Sequence, residues 1–379
     1  MKPLVLPGVE RLSKKQLSGK RVIVRLDLNV PIEDGQVTET YRIDRSVPTL
    51  EFLRKQGAKV LAISHLGDGS ESLKPAADYL RRKCGAGFVE RLADLNVSCL
   101  PDGEIVVLEN LRQHKGEEKN SPTFAKELAS HGDLYVNDAF SASHRKHASI
   151  VGLPKLLPAF AGMLLQEEVR ELSRAFEPKH PFVVIIGGAK FSTKLPLLKR
   201  FFKSADRIFV VGALAHGFFK KKGWSLGKSL VDTKVAGIEP FLKSAKLALP
   251  FDVVIENTNG YYVKTPDSLA KDDVIFDAGP DFIQQMREEI AEAKFVLWNG
   301  PLGNFEKGYD RGTLEAAKAI AKSKAHSVIG GGDTIAAISR LDILKEFDFV
   351  STGGGAMLDF LSAGTLPGID ALVKQPKRR

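Results

Sequence analysis

With 379 residues, 43% of them hydrophobic and 27% charged, the chain is long enough to bury a large core and exceeds the usual size of one domain, so two domains are expected. Two cysteines, Cys84 and Cys99, argue against a disulfide-built secreted fold, and no apolar run approaches the ~20 residues of a membrane span, so a cytoplasmic protein with no membrane partner is expected. A formal charge of +9 calls for an acidic partner, and 8% aromatic content without basic and aromatic residues interleaved favours small phosphorylated molecules over nucleic acid.

Taken in order, strand-like runs at 22–26, 60–64, 105–108 and 134–136 alternate with helical stretches at 46–56 and 122–130. That alternation is the pattern of a parallel sheet with crossover helices. Residues 162–176 carry Leu164, Leu165, Val169, Leu172 and Phe176 at helical spacing and read as one long helix joining two halves. A second series follows at 182–186, 207–211, 252–255, 295–298, 327–329 and 349–351. The expected fold is therefore α/β, with two doubly wound parallel-sheet domains, 1–162 and 163 onward, the second including the linking helix.

Ligands of open α/β sheets bind beyond the carboxyl ends of the strands. In the first half those positions hold Arg25, Asp27, Asn29, Arg42, His65, Arg112, His144 and Arg145. One loop arginine ordinarily faces water, but four arginines and two histidines at successive strand ends point to one anion-binding surface. Asp27 and Asn29 could meet a hydroxyl of the same ligand, so a small phosphorylated hydroxy acid fits the set. His144 and His147 have no third ligand in register, and a zinc site is rejected.

The second half opens with the buried-looking strand 182–186, then Gly187, Gly188, Ala189 and Lys190, with Lys194 four residues on. Paired glycines let backbone N–H groups approach a ligand, and Pro196 requires a helix to begin near the two lysines, which would share one face of it. Asn299, Glu306 and two further glycine-rich strand ends, 330–334 and 351–355, follow. Asp333 suits Mg²⁺, which takes one or two carboxylates plus substrate phosphates. Gly353 to Gly355, opening a helical run at 356–362, would aim backbone N–H groups at a transferring phosphoryl group. The run 223–229 is similar to a phosphate-binding loop but has three residues between its glycines instead of four, and is expected to be an ordinary loop.

The segments RLDLNVP at 25–31, SHLG at 64–67, ENLR at 109–112, GGAK at 187–190, WNGP at 298–301, GGGDT at 330–334 and STGGG at 351–355 together resemble the phosphoglycerate kinase family, nearly end to end. The resemblance implies reversible phosphoryl transfer between 1,3-bisphosphoglycerate with MgADP and 3-phosphoglycerate with MgATP, in glycolysis and gluconeogenesis. It implies a monomer of two Rossmann-like lobes, with residues 353–379 returning to the first. Position by position, it puts the acid on Asp27, Asn29, Arg42, His65, Arg112 and Arg145. The nucleotide falls on Gly188, Ala189, Lys194, Gly212, Asn299, Glu306, Gly331, Gly332, Asp333 and Thr334, with Asp333 on the metal. Lys190, Arg42, Gly354 and Gly355 take the catalytic positions.

Several positions depart from the family pattern. Asp68-Gly69 stands where Arg-Pro is usual, which removes a cation that helps hold the acid's phosphate unless a neighbour such as Lys74 compensates. Val211, Gly217 and Ile275 replace a glycine, a threonine and a glycine near the base, and the loops at 68–73 and before 105 are shorter. Asp68 also leaves room for a phosphate-ligand sensor without turnover. A basic nucleic-acid-binding protein is the remaining alternative.

Overall fold

The computed structural model describes residues 4–232 and 235–375. These form two compact units, 4–170 with 363–375, and 171–362.

The first unit is built on strands β1 (Arg21–Arg25), β4 (Lys59–Ile63), β5 (Gly87–Val89), β6 (Ile105–Leu108), β7 (Leu134–Asn137) and β8 (Ala159–Ala161), with a small ribbon of β2 (Ile32–Glu33) and β3 (Gln36–Val37). The six-stranded sheet runs β5-β6-β4-β1-β7-β8 and every pair in it is parallel. The near-continuous apolar runs follow from burial on both faces; all four residues of β6 are buried. Val22, Val24, Val60, Ala62 and Val107 share a core with Leu50, Leu53 and Leu80 of the covering helices. The chain leaves β1 toward β4 and later returns to its other side at β7, so the strand order reverses beside β1, where ligands of such sheets bind.

The second unit repeats this plan with β9 (Phe182–Ile186), β10 (Arg207–Val210), β11 (Leu247–Ala248), β15 (Phe295–Asn299), β16 (His326–Gly330) and β17 (Phe349–Val350), ordered β11-β10-β9-β15-β16-β17 and parallel throughout. Its switch point lies between β9 and β15, at Gly187 and Gly300. The run expected at 252–255 is not part of this sheet. It is β12 (Val253–Asn257), which pairs antiparallel with β13 (Gly260–Lys264) and β14 (Val274–Ala278) in a separate three-stranded sheet. A two-residue turn joins Asn257 to its partner Gly260, and so short a connection permits only an antiparallel partner.

The helix Pro122–Ser130 starts where Ser121 caps the N–H of Phe124 and proline occupies the first turn. Two other helices carry proline in their interiors, against the expectation that proline marks a first turn. The stretch expected from 46 begins at Tyr41 and runs to Lys55 through Pro48, and the helix Phe191–Phe201 runs through Pro196. Each forgoes one backbone hydrogen bond, and burial of residues such as Leu50 and Leu53, or Leu197 and Leu198, offsets the loss.

The joining helix is Met163–Ser173, continued by a tighter turn at Arg174–Phe176. Its first turn is tied to the first unit, where the Met163 N–H donates to Thr49 Oγ1 (2.9 Å) and the Leu165 N–H to Asp138 Oδ1 (3.2 Å). The boundary therefore falls within this helix, at 170/171, instead of before it. The second boundary falls at 362/363, because Met357 packs against Gly330 and Asn299 within the second unit.

Candidate functional site

In the first unit the residues beyond β1, β4, β6 and β7 form one polar cluster. Arg25 is fully buried, donating from Nε to Ser149 Oγ (3.0 Å), from Nη1 to the Leu26 carbonyl, and from Nη2 to His65 Nδ1 (2.9 Å). Burial lowers its pKa and Glu117 opposes that; the Glu117 carboxylate accepts from the Ser149 N–H and hydroxyl. A guanidinium only donates, so His65 Nδ1 must accept and its proton sits on Nε2. Burial and then the charges of Arg25, Arg112 and Arg145 hold the His65 pKa far below its ordinary value. His65 is thus a neutral donor.

Asp27 accepts from Ser141 Oγ, from the Asn29 N–H (3.2 Å) and from Arg42 Nη1 (3.4 Å), which also donates to the Asn29 carbonyl (3.2 Å). Asn29 Oδ1 accepts from the Gly67 N–H (2.9 Å), and its amide NH₂ has no hydrogen-bond partner among the described residues. Arg112 Nη1 donates to the Gly67 carbonyl, and Nε lies 3.1 Å from Glu118. Its Nη2 is buried with no hydrogen-bond partner among the described residues. A buried guanidinium N–H left open is costly unless a ligand fills the place, and an anion is the ligand it fits. Arg145 is half-buried, close enough to help depress the pKa of Arg112 after burial itself.

The loop that departs from the family pattern is also defined. Asp68 is exposed and its carboxylate accepts from the Ser70 N–H (3.0 Å) and hydroxyl (2.7 Å), which lowers its pKa. Gly69 follows at φ +109°, a conformation closed to proline. Lys74 donates to both oxygens of Asp78 (2.6 and 2.5 Å), an exposed pair along its own helix.

In the second unit a cleft of about 580 Å³ opens beside the carboxyl ends of β9 and β10. Gly188, Ala189, Gly212, Glu306 and Asp333 of the expected set line it. Lys190 caps the helix Phe191–Phe201 in extended conformation (φ −86°, ψ 104°), so the two lysines do not share a helical face as expected; Lys194 alone lies in the first turns. Lys194 Nζ donates to Asn299 Oδ1. Burial draws the Lys194 pKa down to about 8, with Asp333 opposing. Gly331 lies against Asn299, and the buried Thr334 hydroxyl accepts from the Gly300 N–H (2.8 Å). Gly332 opens the helix Gly332–Ile338 next to Asp333, and Gly354 and Gly355 border open space at the start of the helix Gly355–Ala363.

The far wall of the cleft was not legible in the motifs. His216, Phe219, Leu230, Pro250, Val274 and Phe276 form it, together with Ile275, one of the departures from the family pattern. Val211 instead is fully buried and outside the lining, and Gly217 lies against Val235. The one readable signal was the spacing of His216 and Phe219 on one helical face, with Gly212 at the cap before them. The loop at 223–229 is tied to the segment 273–275: the Lys228 N–H donates to Asp273 O (2.8 Å) and Ser229 Oγ accepts from the Ile275 N–H (2.9 Å), while Lys228 itself reaches the cleft.

Residues 12–364 match the family described as phosphoglycerate kinase. The phosphoglycerate kinase of Leptospira biflexa is 42% identical, covering 97% of this chain and 99% of its own, and that of Chelativorans sp. is 41% identical over 95% and 98%. Among solved structures, phosphoglycerate kinase from Coxiella burnetii superposes with a TM-score of 0.86 at 36% identity, covering 98% of this chain and 99% of its own. The Pyrococcus horikoshii enzyme gives 0.85 at 30%, covering 97% and 98%. The chain belongs to the phosphoglycerate kinase family and transfers a phosphoryl group reversibly between 1,3-bisphosphoglycerate with ADP and 3-phosphoglycerate with ATP, a step of glycolysis.

Proposed function

We propose that the first unit's cluster holds the phosphoglycerate and the second unit's cleft the nucleotide. The open Nη2 of Arg112 is the observation that carries the acid half of this reading. Arg112, Arg145, His65 Nε2–H and the Asn29 amide bind the acid's anionic groups, Asp27 accepts from its hydroxyl, and Arg42 lies next to the oxygen that receives the phosphoryl group. Gly188, Ala189, Gly212, Lys194, Asn299, Glu306, Gly331, Gly332, Asp333 and Thr334 hold or shape the nucleotide side.

Phosphoryl transfer needs little covalent help from protein, so its rate comes from alignment and from donors around the moving group. Lys190, Arg42 and the Gly354 and Gly355 amides supply these donors. Among the described residues no cluster of three or more His, Cys, Asp or Glu side chains could cage a metal, whereas the exposed Asp333 carboxylate beside the cleft suits an ion carried in by nucleotide phosphates. Mg²⁺ bound there would neutralise charge on the phosphate oxygens. The same reading takes the protein as a cytoplasmic monomer, in keeping with Cys84 and Cys99 both being free, with small phosphorylated ligands and no nucleic-acid or membrane partner.

ATP formation from MgADP and 1,3-bisphosphoglycerate by the purified protein tests the reading, alongside Arg112→Ala. The variant should raise KM for the acid at least tenfold, the loss of a charge-assisted hydrogen bond, with KM for ADP unchanged. Equal effects on both substrates would refute the division of labour. Asp68 opposes the acid's charge from an exposed position, so Asp68→Asn, which keeps the turn to Ser70, should lower KM for 3-phosphoglycerate roughly two- to fivefold. An unchanged or higher KM would mean that Asp68 acts only through the loop's shape.

Lys194 gives the nucleotide side a pH dependence. Its pKa in the folded chain, about 8, lies below the ordinary 10.5, so the unfolded chain holds more protons between those values. The stability contribution of Lys194 is therefore present above pH 10.5 and lost as pH falls through 8. A bound polyphosphate favours the charged lysine, so ADP affinity should fall as pH rises above 8. Binding near pH 8 should take up a fraction of a proton, read by calorimetry in buffers of different ionisation enthalpy. Proton release, or no exchange, would remove Lys194 from the phosphates.

A further inference from the structure

The nucleotide cleft has two unlike ends. Gly188 and Asp333 mark one, beside Lys194, while Phe219, Leu230, Pro250 and Phe276 give the other an apolar wall suited to a base. His216 belongs to that apolar end; Lys228, Asp277, Asn304 and Lys307 line the cleft as well. His216 stands in the helix Ala213–Lys221, one turn before Phe219, which also lines the cleft, and only 4% of it is exposed.

Nδ1 of His216 lies 2.6 Å from the carbonyl oxygen of Leu230. A carbonyl only accepts, so Nδ1 carries the ring proton and Nε2 presents a bare lone pair. Among the described residues that lone pair has no hydrogen-bond partner. Burial lowers the pKa of the ring, which keeps it neutral and keeps Nε2 an acceptor. The ring is further fixed by stacking on Phe219, with centroids 6.3 Å apart. An acceptor on a largely buried ring, itself still accessible and with no donor of its own among the described residues, is a site that discriminates, because a ligand with no donor there covers it and leaves it unpaired.

We infer that His216 Nε2 is a specificity determinant that accepts a hydrogen bond from the 6-amino group of adenine, selecting adenine nucleotides over the 6-oxo purines. Hypoxanthine and guanine place a carbonyl oxygen at that position, so two lone pairs would face each other. The inference rests on the cleft being the nucleotide site, as proposed above.

KM for ADP, IDP and GDP in the wild type and in His216→Phe, which keeps a ring and removes the acceptor, is the first test. Wild type should favour ADP roughly tenfold or more, and the variant should bring the three values close together. Equal use of the three by wild type, or a preference unchanged in the variant, overturns the inference. Nitrogen NMR of the unaltered protein is independent of the variant's folding. ADP should shift the Nε2 resonance of His216 and IDP should not, while both move the amides of Gly188 and Gly212. Movement of those amides by ADP with Nε2 unmoved would defeat the role of His216 and spare the nucleotide site. No movement of the amides would defeat the site itself, and the inference with it.

Discussion

Replacing Lys190 with alanine should lower kcat about a hundredfold or more while leaving the affinity for ADP within roughly threefold, as for a donor engaged chiefly in the transition state. The two lysines after β9 differ in the way this requires. Lys194 is mostly buried, already bonded to Asn299 and under the field of Asp333, so its environment is set before any ligand arrives. Lys190 is exposed at the helix cap, and its ammonium makes no ion pair among the described residues. An extended backbone directs it away from the helix, on a tether long enough to follow charge as it develops on the transferring group. A hundredfold loss corresponds to about 2.7 kcal/mol, the range expected for one cationic donor on a phosphoryl group in flight. Single-turnover kinetics with calorimetric titration of ADP would separate chemistry from binding. Turnover close to that of the unaltered protein, or a loss that lies wholly in ADP affinity, would assign Lys190 to ground-state binding instead.

What the chain reveals before folding, and what it hides, follows from where each signal is stored. β9 was readable to the residue because a strand buried on both faces must be apolar throughout, and all of Phe182 to Ile186 are buried. Part of the polar cluster of the first unit was legible in the same way, since His65 and Arg112 follow β4 and β6 closely, whereas Arg42 comes from a helix and Arg145 stands well beyond β7. β12 read as one more parallel strand because a short apolar run looks the same whatever it pairs with. Only the tight turn to Gly260 and the partners β13 and β14 decide its direction. The tautomer of His65 depends on Arg25, 40 positions away in sequence. The apolar wall of the cleft is the most hidden part of the candidate site. Phe219, Leu230, Pro250 and Phe276 come from four separate stretches and are individually ordinary core-type residues, so only the fold makes them one surface.

The switch point between β9 and β15 carries the second large effect, on stability. Gly187 and Gly300 end neighbouring parallel strands, and the Gly187 N–H donates to Asn299 O (2.9 Å) while that of Gly188 donates to Pro301 O (3.2 Å). A Cβ on Gly187 would stand 2.3 Å from Pro301 O and 2.6 Å from Gly300 O. One on Gly300, held at φ +102°, would stand 2.2 Å from Gly187 O. Every obstructing atom is backbone, so no rotamer change relieves the contact and the strand ends must separate. Overpacking should therefore cost Gly187→Ala about 3 kcal/mol. Gly300→Ala should cost at least as much, because its backbone conformation is itself unfavourable for alanine. Gly332→Ala serves as the control: its added carbon meets nothing within 4 Å, and its unfolding midpoint in urea should lie close to wild type. Because Gly188 lines the cleft immediately after Gly187, separation of the strand ends must also move the amides proposed to face the phosphates. ADP affinity should consequently fall in Gly187→Ala even below the denaturant range where unfolding begins. A Gly187→Ala protein as stable as the control would show that the two strand ends can part at little cost, and that the close approach of their backbones is not what shapes the phosphate end of the cleft.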